Sequence, residues 1–531
     1  MFIDARELSD GASVETEVCV VGAGLAGISL ARALIGQPFR VCVLESGGLE
    51  RDDDTQSLYK GESAGLPYFD LDFTRQRWFG GSTNEWGGWC APLDPLDFEP
   101  RDWVPDSGWP ITRRELEPYY ERAHPLFQLG PYCYDPGYWE DALDGNRFRS
   151  LALTGSRLET KIWQVSPPTR FGHTYREEIS RADNVSVYLH ANVVEIETDA
   201  EARWVTRLRC RRFDGGGFTV TARQFVLATG GIETPRLLLL SNNVMDTGLG
   251  NAQGLVGRYF MEHPFFRSGI LSPSEPNTPM DLYSHAGVKK TPVLGGLSPS
   301  PQLQRDEGLL NSCARLGHSY GDPHRVAALK RSIQSLRRGR MPDLPYQHFA
   351  GNLSEVVRGA RDVAAYAYQR LPGRHRRFSA FILYHWVEQA PNPNSRITLS
   401  HERDRLGQNR VRLDWRLSAI DKRSARQTQR LISEALSRAG LGTLRVDLNE
   451  NDFEWPRNMR GSHHHMGTTR MSHDSKRGVV DQHGRVHGLA NLFIAGGSVF
   501  PTCGFANPGL TIAALACRLS DRIKYLLAGG S

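Results

Sequence analysis

The sequence predicts an α/β protein that opens on a dinucleotide-binding unit, and three observations predict it. A short apolar run enters the turn Gly22-Ala-Gly-Leu-Ala-Gly27, and a helix of small residues follows. A second apolar strand, Phe225-Val-Leu-Ala-Thr-Gly230, ends in glycines after a long excursion. The last block returns to the same grammar, with Leu492-Phe-Ile-Ala-Gly496 and a long helix after Asn507. At 531 residues, two domains or one elaborated domain are expected.

Taken in order, residues 17–22 read as a buried parallel strand, because an unbroken apolar run suits a sheet covered on both faces. Residues 25–35 read as a helix and 40–45 as the next strand, which completes a βαβ unit. A loop rich in glycine and tryptophan spans 78–90. The stretch 95–144 carries aromatics, prolines and acids, with a helix expected near 114–123. Alternation predicts strands at 185–197 and 204–212, and a helix starts at about 234. Beyond Pro264 prolines and serines dominate to about 324. Residues 324–340 are basic and amphipathic. They are expected as a solvated helix covering a second domain, with a membrane-surface or partner helix as the alternative. Strands return at 378–387 and 395–399, and a helix at 421–439.

The bulk numbers narrow the function. A net charge of +5 with no aromatic-interleaved basic stripe gives no case for nucleic acid. Eight scattered cysteines show no metal spacing, and Cys19 and Cys42 sit inside apolar runs, as buried thiols do. The first residues lack the pattern of a signal peptide, and no apolar run approaches a membrane span, so a cytoplasmic enzyme without stable membrane insertion is expected.

Gly22, Gly24 and Gly27 fit G-x-G-x-x-G between a strand and a helix. The first allows the turn, the second lets backbone approach a pyrophosphate, and the third lets helix and strand pack closely. Leu25 and Ala26 open the helix whose N-terminus would face the phosphates. Glu45, at the end of the second strand, is placed to accept hydrogen bonds from ribose hydroxyls, with Ser46 beside it. An acid there argues against a 2′-phosphate, which leaves FAD or NAD. At the other end, Ser462-His-His-His-Met-Gly-Thr-Thr-Arg-Met471 and Phe505-Ala-Asn-Pro-Gly-Leu-Thr511 supply a histidine base and an amide donor. Three consecutive histidines would splay their side chains, which argues against a metal site. Asn507 before Pro508 also reads as a helix cap.

Together with Trp78-Phe-Gly-Gly-Ser-Thr-Asn-Glu-Trp-Gly-Gly88 and the strand into Ala228, Thr229 and Gly230, these segments resemble the glucose-methanol-choline (GMC) oxidoreductases. The resemblance runs nearly the whole length and is weakest at 270–375; the nearest branch is that of bacterial pyranose oxidases and sugar or glycoside dehydrogenases. It implies a Rossmann-like FAD domain made of discontinuous chain (1–270 with an excursion around 94–165, and 456–531). A substrate domain at 271–455 would be built on a mostly antiparallel sheet with helices. It also implies His464 as base and Asn507 as its partner, with both touching substrate. FAD contacts are implied at Gly80, Gly81, Ser82, Thr83, Asn84, Trp86, Gly87 and Val194, and at Gly496, Gly497, Asn507, Pro508 and Thr511. Glu85 precedes Trp86 where some pyranose oxidases carry the histidine that bonds FAD, so the flavin is expected to be non-covalent. Gly231 and Asn242 depart from the second family signature.

The expected function is oxidation of a sugar, glycoside or polyol CH–OH to a carbonyl, with oxygen or another acceptor taking the electrons. The alternatives are the same chemistry on a non-sugar secondary alcohol, or a hydroxynitrile-lyase-like reaction. Glu388 or Gln389 are candidates to bind substrate hydroxyls, with a structural role as the alternative, and His263 is expected to be structural. A homo-oligomer is compatible with the sequence.

Overall fold

The computed structural model describes residues 1–143, 148–153, 155–275, 278, 280–283, 292–318, 380–446, 455–456 and 458–529. The basic stretch 324–340 lies outside the described residues.

The first sheet has eight strands. Its labelled elements are β1 (Phe2–Asp4), β2 (Ala12–Val21), α1 (Leu25–Ala33), β3 (Val41–Leu44), β4 (Val185–Leu189), β5 (Asn192–Thr198), β6 (Val205–Arg211), β7 (Gly217–Leu227) and α2 (Gly230–Leu240). The strands run in the order β1-β4-β3-β2-β7-β6-β5, and Leu492–Ile494 also pairs with β7. The five members from β1 to β7 pair in parallel, whereas β6 and β5 continue antiparallel. Val18, Cys19, Val20 and Val41 are buried, as the unbroken apolar runs require.

Two differences from the sequence pattern have local causes. The single strand expected over 185–197 is two strands. The chain turns at His190, whose φ is +58°, so β4 joins the parallel core and β5 starts a separate antiparallel flap. The short β1, in parallel register with β4, is too brief for any periodicity to mark.

Gly27 packs where a side chain cannot. A Cβ there would lie 1.9 Å from the Gly22 carbonyl oxygen, so α1 can cross β2 only with glycine at this position. Gly27→Val is therefore expected to yield protein without bound flavin or no folded protein at all, checked by the visible absorbance of the purified chain.

The second sheet is antiparallel and has seven strands, in the order Gly442–Val446, β8 (Phe265–Pro273), β9 (Phe381–Val387), Ser312–His318, Val293–Pro299, Leu158–Val165 and Trp89–Cys90. It gathers Trp89–Cys90 and Leu158–Val165 from far upstream, and β8 begins before residue 271. A third sheet pairs Arg396–Arg403 with Asn409–Trp415, and Asn409–Trp415 in parallel with Gly61–Gly65. The strands of segment 396–415 thus belong to this third sheet and not to the seven-stranded one.

The chain then returns through β10 (Leu492–Ile494), in parallel register with β7, to α3 (Gly509–Leu527). α3 packs on α1 and on the helix Arg113–Ala123, whose Thr112 and Glu115 form a capping box. All eight cysteines are free thiols. Among the described residues no helix is long and apolar enough to cross a membrane.

Candidate active site

A continuous cavity of about 1100 Å³ runs from the α1 turn to the mouth of the seven-stranded sheet, beyond the usual range for a small-ligand site. One end is lined by Gly22, Gly24, Leu25, Ala26, Glu45 and Ser46. Gly81, Ser82, Thr83, Trp86 and Gly87 line it from the glycine loop, and Val194, Ala228, Thr229 and Gly230 from the sheet. Gly496, Gly497, Pro508, Asn507 and His464 close the other end.

The walls fit a flavin dinucleotide. A Cβ on Gly24 would meet no atom within 4 Å, so the backbone at the start of α1 faces open space. Gly81, with φ +53°, brings its own backbone close to Gly24, where a Cβ would lie 2.9 Å from the Gly24 Cα. Glu45 is buried, and its carboxylate accepts from the Ala23 and Gly47 amides at 2.9 Å each, which ties it to the turn while it lines the cavity. Burial pushes its pKa above the usual carboxylate range.

Four expected contacts stand behind the wall. Gly27 packs helix on strand, and the Gly80 amide donates to Ala23 at 2.8 Å. Asn84 donates to the Phe79 carbonyl, and the Thr511 hydroxyl meets Tyr120 Oη at 2.8 Å.

The sequence offers no marker for the charged lattice at the nucleotide end. Glu233 pairs with Arg75, Arg77 and Arg236, and Arg236 also reaches Asp404. These arginines hold the Glu233 carboxyl well below the usual range against the opposing effect of burial. The four partners come from three distant segments, which no local motif reports.

At the catalytic end, two segments lock together. Met261 pairs with Met466, and Phe265 with Arg460, as antiparallel bridges. Between them the buried Glu262 carboxylate accepts from the backbone amides of His263, Ser462 and His464 at 2.9–3.0 Å, and from Tyr68 Oη. His463 sits at φ +62°, a left-handed conformation that splays the three histidines apart. His463 meets Phe69 edge-on, with ring centroids 4.7 Å apart. The Nε2 of His465 lies 2.9 Å from Tyr68 Oη. His464 points between them, with Nε2 3.3 Å from Asn507 Nδ2. Burial, and then the neighbouring imidazoles, hold His464 well below its ordinary pKa.

Asn507 does not cap α3. The helix begins at Gly509, with Pro508 at the cap position and no side-chain cap bond, which leaves the carboxamide for His464. Gly231 has a physical reason as well: a Cβ there would lie 2.2 Å from the His465 carbonyl oxygen, so the histidine loop excludes any larger residue.

The expectation for Glu388 and Gln389 is corrected. Both are fully buried and neither lines the cavity. Glu388 forms a two-point pair with Arg101 at 2.5 and 2.8 Å, and it accepts from the Asn311 amide. Gln389 accepts from Trp415 Nε1 and the Glu262 amide, so it braces the loop behind the site. His263, expected to be structural, has its Nδ1 2.9 Å from His464 Nδ1.

Residues 17–249 match the model of the family described as FAD dependent oxidoreductase, and residues 391–516 that of GMC oxidoreductase. The 6'''-hydroxyparomomycin C oxidase of Streptomyces lividus is 27% identical over 569 aligned positions, covering 96% of this chain and 92% of that protein. The fructose dehydrogenase large subunit of Gluconobacter japonicus is 28% identical over 343 residues; that match takes in 64% of this chain and only 54% of the subunit's length. Pyridoxine 4-oxidase from Mesorbium loti shares the fold, with a TM-score of 0.59 at 17% identity over 95% of this chain and 98% of that one. The chain thus joins an FAD dependent oxidoreductase region to a GMC oxidoreductase C-terminal region, in keeping with its resemblance to the GMC oxidoreductases. It is an FAD-dependent enzyme acting on CH–OH groups.

Proposed function

We infer that the protein oxidises a hydroxyl of a sugar or glycoside to a carbonyl, with His464 as the base and Asn507 as the donor that steadies the alkoxide. The observation that carries this reading is the pairing of His464 Nε2 with Asn507 Nδ2 at the end of the cavity. Bound FAD supplies the hydride acceptor. The chain does the rest. A neutral imidazole takes the hydroxyl proton at Nε2. The Asn507 amide donates to the oxygen as negative charge builds on it. The N-terminus of α3 beside Pro508, with Gly496 and Gly497, would hold the flavin end of the cofactor and would favour negative charge there. Electrons leave to oxygen or another acceptor.

Support for the sugar class comes from two directions. Relatives named for fructose and an aminoglycoside align with this chain. The substrate end of the cavity is walled by Trp89, Phe265, Trp386, Phe69 and Phe73, with Asp70, Arg460 and Ser462 among them. Aromatic faces can cover the C–H face of a sugar ring while polar groups meet its hydroxyls. The same aromatic walls favour a second reading, a non-sugar secondary alcohol.

An anaerobic titration separates the two. Fructose, an aminoglycoside, pyridoxine and an apolar secondary alcohol are each added to the yellow protein. Bleaching by a sugar or aminoglycoside is expected, whereas bleaching by the apolar alcohol alone would discard the sugar assignment.

Two further outcomes follow. Asn507→Ala is expected to slow flavin reduction by about 3 kcal/mol of barrier, the scale of a lost oxyanion donor, with FAD retained. The pH dependence has a definite sign. A histidine with a lowered pKa is already neutral, and so competent as a base, at its ordinary value of 6.5. The reduction rate should therefore hold at pH 6.5 and fall only at lower pH; stopped-flow reduction across pH checks this.

A further inference from the structure

We propose that His263 is a positioning residue that fixes the proton of His464 on Nδ1 and so leaves the Nε2 lone pair facing the cavity. The proposal rests on the reading of His464 as the base.

The argument starts from an oxygen that can only accept. His263 Nε2 lies 3.3 Å from the carbonyl oxygen of Cys503, so this nitrogen carries a hydrogen. The ring is completely buried, and burial pushes its pKa down to about 4, so near neutral pH it holds one proton only. Its Nδ1 is then a bare lone pair. That lone pair lies 2.9 Å from His464 Nδ1, across rings that meet at 83° with centroids 5.0 Å apart. Two lone pairs would repel at this distance, so His464 Nδ1 carries the hydrogen and donates it. His464 is neutral too, and its Nε2 is left unprotonated, opposite the amide hydrogens of Asn507 at 3.3 Å. The reverse assignment would set a buried lone pair of His263 against the Cys503 carbonyl and turn an N–H of His464 towards the Asn507 amide donor.

The surroundings hold this geometry without competing for it. The bridges Met261–Met466 and Phe265–Arg460 set the spacing of the two backbones. Glu262 spends its carboxylate on three backbone amides and Tyr68. His465 bonds to Tyr68, and His463 turns to Phe69 and Phe73. Behind His263, Glu388 is occupied by Arg101. Among the described residues, no other ionisable group bonds to a ring nitrogen of His464. When His464 takes up the substrate proton, the His263 lone pair accepts from the resulting imidazolium. His263 therefore both selects the tautomer and favours the charged form.

The test uses the FAD-loaded full chain with fructose and an aminoglycoside as hydride donors, and the variants His263→Phe, His263→Asn and His464→Ala. The phenyl ring keeps the packing and removes the acceptor, whereas the asparagine Oδ1 can stand near the Nδ1 position. His263→Phe is expected to keep FAD and thermal stability while slowing anaerobic flavin reduction roughly 10–100-fold, the scale for losing the partner of a working imidazole. Its acid limb should move to lower pH, because the imidazolium has lost its acceptor. His263→Asn should recover most of the rate. ¹⁵N ring shifts of labelled histidine, assigned by difference against His464→Ala, should show His464 protonated at Nδ1 in the wild type. A slow His464→Ala beside a His263→Phe of wild-type rate and unmoved limb would overturn the positioning role alone. So would an Asn variant as slow as Phe, or a His464 protonated at Nε2. A His464→Ala of wild-type rate would overturn the base assignment itself.

Discussion

His464→Ala is expected to purify yellow, with FAD bound, and to be reduced by substrate roughly 10²–10⁴-fold more slowly than the wild type, the usual cost of removing a catalytic base. The flavin should stay because His464 is one wall residue among many. The nucleotide end is held by the α1 turn, Glu45 and the Glu233 lattice, none of which touches the imidazole. The rate should fall because Nε2 is the group that meets Asn507 at the end of the cavity, while His463 and His465 are turned away towards Phe69 and Tyr68. Neither neighbour can substitute without unwinding the loop that Glu262 pins at three amides. Anaerobic stopped-flow reduction alongside a measured FAD-to-protein ratio checks both halves. Wild-type reduction in this variant would remove His464 from the chemistry.

Arg101→Ala should destabilise the protein by about 3–5 kcal/mol, because it strands a buried carboxylate. The side chains of Arg101 and Glu388 are each 0% exposed, and the pair joins the excursion around 94–165 to the residue after β9. The loss is visible as a lowered denaturation midpoint. The double change Arg101→Met with Glu388→Leu should recover much of it, since neither charge is then stranded and only the Asn311 amide loses its acceptor. If Glu388 bound substrate instead, the double variant would be stable but would lose its affinity for sugar.

How much of this was legible in the sequence depends on whether the signal is local. Gly22, Gly24 and Gly27 could be read because backbone geometry at a tight turn admits one residue type, and the spacing declares it. The strands at 17–22, 40–45 and 225–230 could be read because burial on both faces leaves unbroken apolar runs. The pairing of His464 with Asn507 rested on likeness to a family, and the geometry places them 3.3 Å apart. Relations between distant segments were not legible. Glu388 looked like a sugar ligand because a polar residue on a strand is ambiguous until its partner is known, and that partner, Arg101, lies 287 positions away. The contact of His263 with His464 was hidden for the same reason, since it spans 201 positions. Strand pairing across the sheets was equally hidden, so Leu158–Val165 and Trp89–Cys90 could not be assigned to the second sheet.

The central claim is that a hydride leaves a CH–OH carbon for the flavin while the chain removes the hydroxyl proton. Its most direct test is single-turnover anaerobic reduction by a sugar carrying deuterium at the oxidised carbon, compared with the unlabelled sugar. A slower reduction with the deuterated sugar is predicted, with one carbonyl product formed per flavin reduced. Consumption of the alcohol while the flavin stays oxidised would contradict it.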